Sequence, residues 1–243
     1  MTAASRFTEV LARLVGEPDR DDLLPDQVAA ACVAALPVDG ASLSYTLLPD
    51  RRLPLGASDL QAAAAERLQY ATGEGPCLTA QQIRGVVVAP LEELKGGWPL
   101  FAVQLVAHTP YRCVVALPVG GALAGVAALD LYLRDPGTPT AGTLADVAAV
   151  AELVGEVLAD DLAGEEDIVL GLPRSFRALP IVERHRVWLA VGHISGQRAL
   201  TTSDALSLLR GAAFTLGLDL ETTANRVLSG ELVIPDLGGP PSS

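Results

Sequence analysis

Residues 113–133, CVVALPVGGALAGVAALDLYL, form the longest apolar run in the chain and constrain its fold more than any other stretch. A run of this length is sufficient for a helix to cross a bilayer. Here Pro118, the pair Gly120-Gly121 and Asp130 interrupt it. It therefore reads as two strands joined at a Gly-Gly turn, buried in a sheet and not in lipid. The opening stretch MTAASRFTEVLARLVGEPDRDD also lacks the unbroken apolar core of a signal peptide. Cys32, Cys77 and Cys113 are odd in number, widely spaced and outside any CxxC pair, which argues against a disulfide framework or a zinc site. The expectation is a cytoplasmic chain with no membrane partner.

The segments around that run set the architecture. Ser5 to Leu36 has helical spacing in two pieces, Phe7, Val10, Leu11 and Leu14 on one face, then Val28, Cys32 and Leu36. GASLSYTLLPD alternates around Leu43, Tyr45 and Leu47 as a half-buried strand, and Pro49-Asp50 turns it into a second strand, RRLPLGAS. Asp59 caps an Ala-rich helix that stops at Gly73, and GEGPCLTA follows as a loop. A strand, GVVVAP, a short helix from Trp98 to Ala107, the strand pair and a long helix, GTLADVAAVAELVGEVLADDL, complete this part. The order predicts an α+β domain with a largely antiparallel sheet over residues 1–163.

Residues 164–180 read as a linker, with acids, two prolines and no sustained period. Residues 181–231 then hold three short helical segments, a small all-α bundle. The first presents Val187, Ala190, Val191 and Ile194; the second, capped by Thr202 or Ser203 and ended by Gly217, turns Ala205, Leu208, Leu209, Ala212 and Ala213 inward. The third is capped by Asp219 and carries Leu220, Ala224, Val227 and Leu228. Residues 232–243 are expected to be disordered.

Charge divides along the same boundary. The net charge is −12, yet residues 1–170 hold 10 basic and 23 acidic side chains while residues 171–243 hold 7 and 6. An acidic total argues against a general nucleic-acid coat protein, and the split points to two domains with different partners. No acid pair, triad or nucleophile elbow is present, and His108, His185 and His193 stand alone, so neither catalysis nor a metal site is expected. The sequence identifies no cofactor.

The first part resembles a GAF domain, a small-molecule sensor module. The likeness rests on GEGPC, on APLEELKGGWPLFAVQLVAHTPYRCVVALPV and on GVAALDLYL followed by a helix. The second part resembles the ANTAR domain of transcription antitermination regulators, through VWLAVGHISGQ, SDALSLLRGAAF and LDLETTANRVL in order. The resemblance implies a signal-responsive regulator that binds paired hairpins in nascent RNA and so prevents termination. It departs from the family at Gly211, at the methionine-free GHISGQ and at NRVLSGELVIPD, which holds one arginine.

On that resemblance Arg198, Arg210 and Arg226 are candidate phosphate contacts, Ser203 and Asn225 candidate hydrogen-bonding groups, and Phe214 a candidate base-stacking residue. The residues alone permit blander readings: arginines on an ordinary solvated surface, Phe214 in the bundle core. Tyr45, Cys77, Trp98 and Phe101 are candidate lining for a small-molecule pocket in the sensor part, or plain core. Cys77 could be a sensing thiol or a packing cysteine. Leu144, Ala151 and Leu158, seven residues apart, hint at a homodimer seam or at a helix packed on its own sheet. A second functional reading is a dimeric scaffold whose C-terminal helices bind a protein partner. A helix-turn-helix reading is weaker, because LETTANRVL is a poor reader of the major groove.

Overall fold

A computed structural model describes residues 1–17, 23–48, 51–164, 168–169, 172–173 and 179–234. The chain divides into two compact units, Met1–Leu179 and Pro180–Ser243.

In the first unit α1 (Ala3–Val15) and α2 (Leu24–Ala35) precede β1 (Gly40–Leu48) and β2 (Arg51–Ala57). Then come α3 (Leu60–Thr72), α4 (Pro76–Ile83), β3 (Val87–Pro90), α5 (Leu91–Gly97) and α6 (Pro99–His108). β4 (Cys113–Pro118), β5 (Ala127–Leu133) and α7 (Ala141–Gly164) complete the sheet and its cover, and a short strand pair follows, β6 (Ile168–Val169) with β7 (Leu172–Pro173). The five-stranded sheet has the order β2-β1-β5-β4-β3 and every neighbouring pair is antiparallel.

The apolar run is the sheet's centre. β5 sits between β1 and β4, with Asp130 opposite Ser42 on one side and Ala116 on the other. The connection from β4 to β5 is longer than a two-residue Gly-Gly turn, because a single 3₁₀ turn occupies Gly121–Leu123. β1 alternates as expected, yet Ser42 and Ser44 are as buried as Ala41 and Leu43. Helices cover both faces: the even-numbered residues of β1 and β5 face α3 and α4, and the odd-numbered ones face the side where α2 packs on β1 and β2.

Two departures are local. GEGPCLTA is a loop only as far as Gly75, since Pro76 occupies the first helical turn of α4, where its missing N–H costs no hydrogen bond. LEELKGG forms α5, a helix too short to announce itself by period. The heptad positions Ala151 and Leu158 are buried in their own unit with Val147, Val150 and Val154, so that face of α7 is intramolecular. α7 reaches the β4–β5 connection by direct backbone contact. The Gly120 N–H donates to the Ala151 carbonyl, and a Cβ on Gly155 would lie 2.2 Å from the Gly120 oxygen.

The second unit contains α8 (Leu179–Arg198), α9 (Thr202–Leu216) and α10 (Leu220–Leu228). α8 begins inside the expected linker. The α9 cap is Thr201, one residue earlier than expected, whose side chain accepts from the Asp204 N–H, and Asp219 caps α10 by accepting from Thr222. Val187, Ala190, Ile194, Ala205, Leu206, Leu209, Ala213 and Ala224 form the interior, whereas Leu228 is exposed. A buried cation ties two helices together: Arg184 on α8 faces Glu221 on α10 at 3.5 Å. The expected disordered tail lies, from residue 235 onward, outside the described residues.

The two glycine environments predict opposite outcomes. Gly155→Val forces the helix off the Gly120 backbone and should cost about 1–3 kcal/mol. Gly211→Ala, in α9 with nothing within 4 Å of the new Cβ, should stabilise by about 0.5–1 kcal/mol. Urea unfolding midpoints of the two variants check both signs.

Candidate functional site

The α3/α4 side of the sheet buries a set of polar side chains. Arg52 on β2 is 1% exposed, and its Nη2 donates to Asp130 Oδ2 at 3.1 Å while its Nε lies 3.7 Å from Glu66 Oε1. Gln69 Nε2 donates to the same Asp130 oxygen at 2.8 Å. Gln69 Oε1 accepts from the Cys77 backbone N–H at 3.0 Å, so one amide links the sheet carboxylate to the start of α4. The Cys77 thiol lies 3.6 Å from Ser44 Oγ, and Ser42 Oγ shares a 2.8 Å hydrogen bond with Tyr132, whose ring stacks on Tyr111.

Every residue of GEGPC has a physical task around this cluster. Gly73 ends α3 in the left-handed conformation. Glu74 Oε1 accepts from the Phe101 N–H, capping the first turn of α6. Gly75 has φ +151°, and a Cβ there would sit 2.4 Å from Gln69 Oε1. Pro76 starts α4, and Cys77 enters the polar cluster. The motif thus sets α3 and α4 against the Arg52–Asp130 pair and α6 on the apolar cluster beside it.

Burial raises Asp130 above the ordinary carboxylate value, and Arg52 with the donors Cys77 and Gln69 opposes that rise. Burial also pushes the Cys77 thiol up, with Arg52 opposing. A sensing thiol needs the reverse shift, so Cys77 is a buried member of a hydrogen-bonded cluster.

The expected pocket residues do not converge. Phe101 is fully buried in a core cluster with Ala62, Ala65, Leu94, Leu105 and Tyr132, and Trp98 packs on it half-buried. Tyr45 alternates with Ser44 and Thr46, whose side chains meet Cys77 and Gln81, so it lies on the opposite face of the sheet from Cys77. Arg52, Glu66, Gln69 and Asp130 were not among the expected site residues. The available signal was Asp130 itself, an acid inside the apolar strand AALDLYL.

In the second unit Phe214 is 73% exposed on α9, not in the bundle core. It shares a helical stripe with Ser203, Ser207 and Arg210, at i, i+4, i+7 and i+11. Ser203 and Ser207 are exposed and Arg210 is half-buried. Arg198 is committed elsewhere, its guanidinium donating to the carbonyl of Ile234. Asn225 and Arg226 are exposed on α10, with Asn225 Oδ1 accepting from Arg186 at 3.2 Å. Among the described residues no group of three or more His, Cys, Asp or Glu could hold a metal ion, and no helix is long and apolar enough to cross a membrane.

No protein-family model and no curated protein matches the sequence. Among solved structures, the chain is similar to the GAF domain from a phosphoenolpyruvate-protein phosphotransferase (ptsP) of Coxiella burnetii, at 14% identity and a TM-score of 0.47 over 66% of this chain and 96% of that one. It is also similar to the GAF domain of an Acinetobacter phosphoenolpyruvate-protein phosphotransferase, at 16% identity and a TM-score of 0.47 over 67% and 96%. The architecture described above stands on the chain's own strand order and helix placement.

Two predictions follow from the cluster. Gly75→Ala should destabilise by about 1–3 kcal/mol, because it adds strain at φ +151° and displaces Gln69; thermal unfolding measures it. Asp130, raised in the folded state, holds a proton above pH ~3.8 that the unfolded chain has already released. Its contribution to stability is therefore largest below that pH and declines as pH rises toward the folded value. As pH is raised from about 4, urea midpoints should fall for the wild type relative to Asp130→Asn.

Proposed function

We propose that the chain is a signal-responsive regulator in which a GAF-like sensor domain is joined to an ANTAR-like three-helix domain that binds paired RNA hairpins and promotes transcription antitermination. The observation that carries this reading is the solvent stripe of α9, where Phe214 stands exposed in line with Arg210, Ser207 and Ser203. An exposed aromatic beside a cation and hydroxyls suits an unstacked loop base, which stacks on the ring and is held by its edge and its phosphate. Arg226 and Asn225 extend the polar surface on α10, and Arg198 is withdrawn from it. The proposed regulator is cytoplasmic, acts as a homodimer that presents two such surfaces to two hairpins, performs no catalysis, and takes a small molecule, if any, in its sensor domain.

A protein-partner reading is favoured by one observation. Leu189, Phe214, Leu216 and Leu228 are all at least 40% exposed in the second unit. Apolar surface of this kind suits a helix-binding partner as well as a base.

The test is binding of the full chain to a two-hairpin RNA from its own transcripts, at two salt concentrations, beside duplex DNA of the same sequence. Phe214→Ala should cost about 1–3 kcal/mol of binding. Arg210→Ala should weaken binding and lower the salt slope by about one. Equal affinity for RNA and duplex DNA, or no effect of Phe214→Ala, sinks the RNA reading.

A further inference from the structure

The first unit carries a second feature on the side of the sheet away from the polar cluster. A cavity of about 530 Å³ opens between α1 and α7. Its floor is apolar, made by Phe7, Leu11, Leu24, Leu153 and Val157, and Val15 stands beside it 56% exposed. Its walls differ in charge. The α1 wall presents Thr8, Ala12 and Val15, whereas the α7 wall presents Glu156, Asp160 and Asp161. No basic side chain lines it among the described residues. The asymmetry is a property of the whole helix, because α7 has 24 residues and holds Asp146, Glu152, Glu156, Asp160 and Asp161 without a single base.

We propose that this groove docks an amphipathic helix of another protein, with an apolar stripe on the floor and lysines or arginines along the one edge that lies over α7. The dimensions suit a helix. Thr8 to Val15 and Leu153 to Asp160 each span about 10 Å at 1.5 Å per residue, so the groove accepts roughly two turns of a third helix laid beside α1 and α7. Apolar residues at i, i+3, i+4 and i+7 of the occupant reach the floor. Its cations meet Glu156 and Asp160, both exposed, while its other edge meets neutral Thr8 and Ala12. Charge also argues against a second copy of this chain as occupant. A two-fold axis across the groove opposes Glu156 and Asp160 to their own copies, and an axis along it sets them over the neutral α1 wall, so neither pairing brings them a base from the described lining.

The probe is a fluorescein-labelled peptide of about 14 residues, roughly four helical turns, with leucines at helical spacing and lysines elsewhere, and its glutamate counterpart as control. Fluorescence anisotropy with the full chain should show binding of the lysine peptide, reduced by salt, and none of the glutamate peptide. The double change Glu156→Lys and Asp160→Lys should weaken binding about tenfold. The same charge change at Glu92 and Glu93, exposed on α5, should leave affinity within about twofold, since distant surface charges are screened. Ala12→Trp, which fills the groove from α1, should abolish binding while circular dichroism stays unchanged. Equal effects of the two double variants, or full binding by Ala12→Trp, overturns the proposal. It is likewise overturned if the unlabelled chain self-associates in sedimentation and Ala12→Trp dissociates it, because the occupant is then a second copy.

Discussion

The first unit is organised around one buried ion pair, Arg52 with Asp130. A guanidinium cannot shed its charge, and enclosing it away from water costs several kcal/mol unless its partners are fixed in place. The strands and helices around it supply those partners: Asp130 from the central strand, Glu66 and Gln69 from α3, and, against them, Cys77 and Ser44. The consequence is positional. α3 and α4 are held to the sheet by directed bonds as well as by apolar contact, which restricts their register. The opposite face, covered by α2, has Leu43, Leu53, Leu55 and Leu129 and no comparable polar set among the described residues.

The GEGPC loop is best understood as the fitting that lets this cluster close. Its glycines are needed where backbone passes Gln69 and where α3 ends, its glutamate caps α6, and its proline begins α4. Each element placed by the loop touches the same buried set or the core cluster of Phe101 beside it. A pocket of the size a small molecule requires does not follow from the four residues expected to line it, since Tyr45 lies across the sheet and Phe101 is core.

Much of the fold was legible because it depends on local signals. Period, caps and glycine stops placed α1, α2, α3, α7 and the three C-terminal helices, and the interruptions at Pro118 and Gly120 separated β4 from β5. The site was less legible because its contacts are distant in sequence. Arg52 reads as solvent-facing in RRLPLGAS, and Glu66 as an ordinary helix-surface acid in AAAAERL; only Asp130, 78 residues from Arg52, makes both interior. The α7 heptad left a partner and the chain's own unit both open for a related reason, since period states that a helix has an apolar face but not what covers it. Phe214 stayed open between stacking and core, because nothing local says that leucine, isoleucine, valine and alanine fill this interior and leave the ring exposed.

The functional proposal depends on the exposed stripe of α9, so the decisive measurement is the event that stripe is proposed to control. Single-round transcription through a terminator preceded by two RNA hairpins from the chain's own transcripts, with and without the purified protein, reads it directly. The account predicts that the wild type raises read-through and that Phe214→Ala, folded to the same thermal midpoint, does not. Unchanged read-through with the wild type, or equal read-through with both proteins, contradicts it.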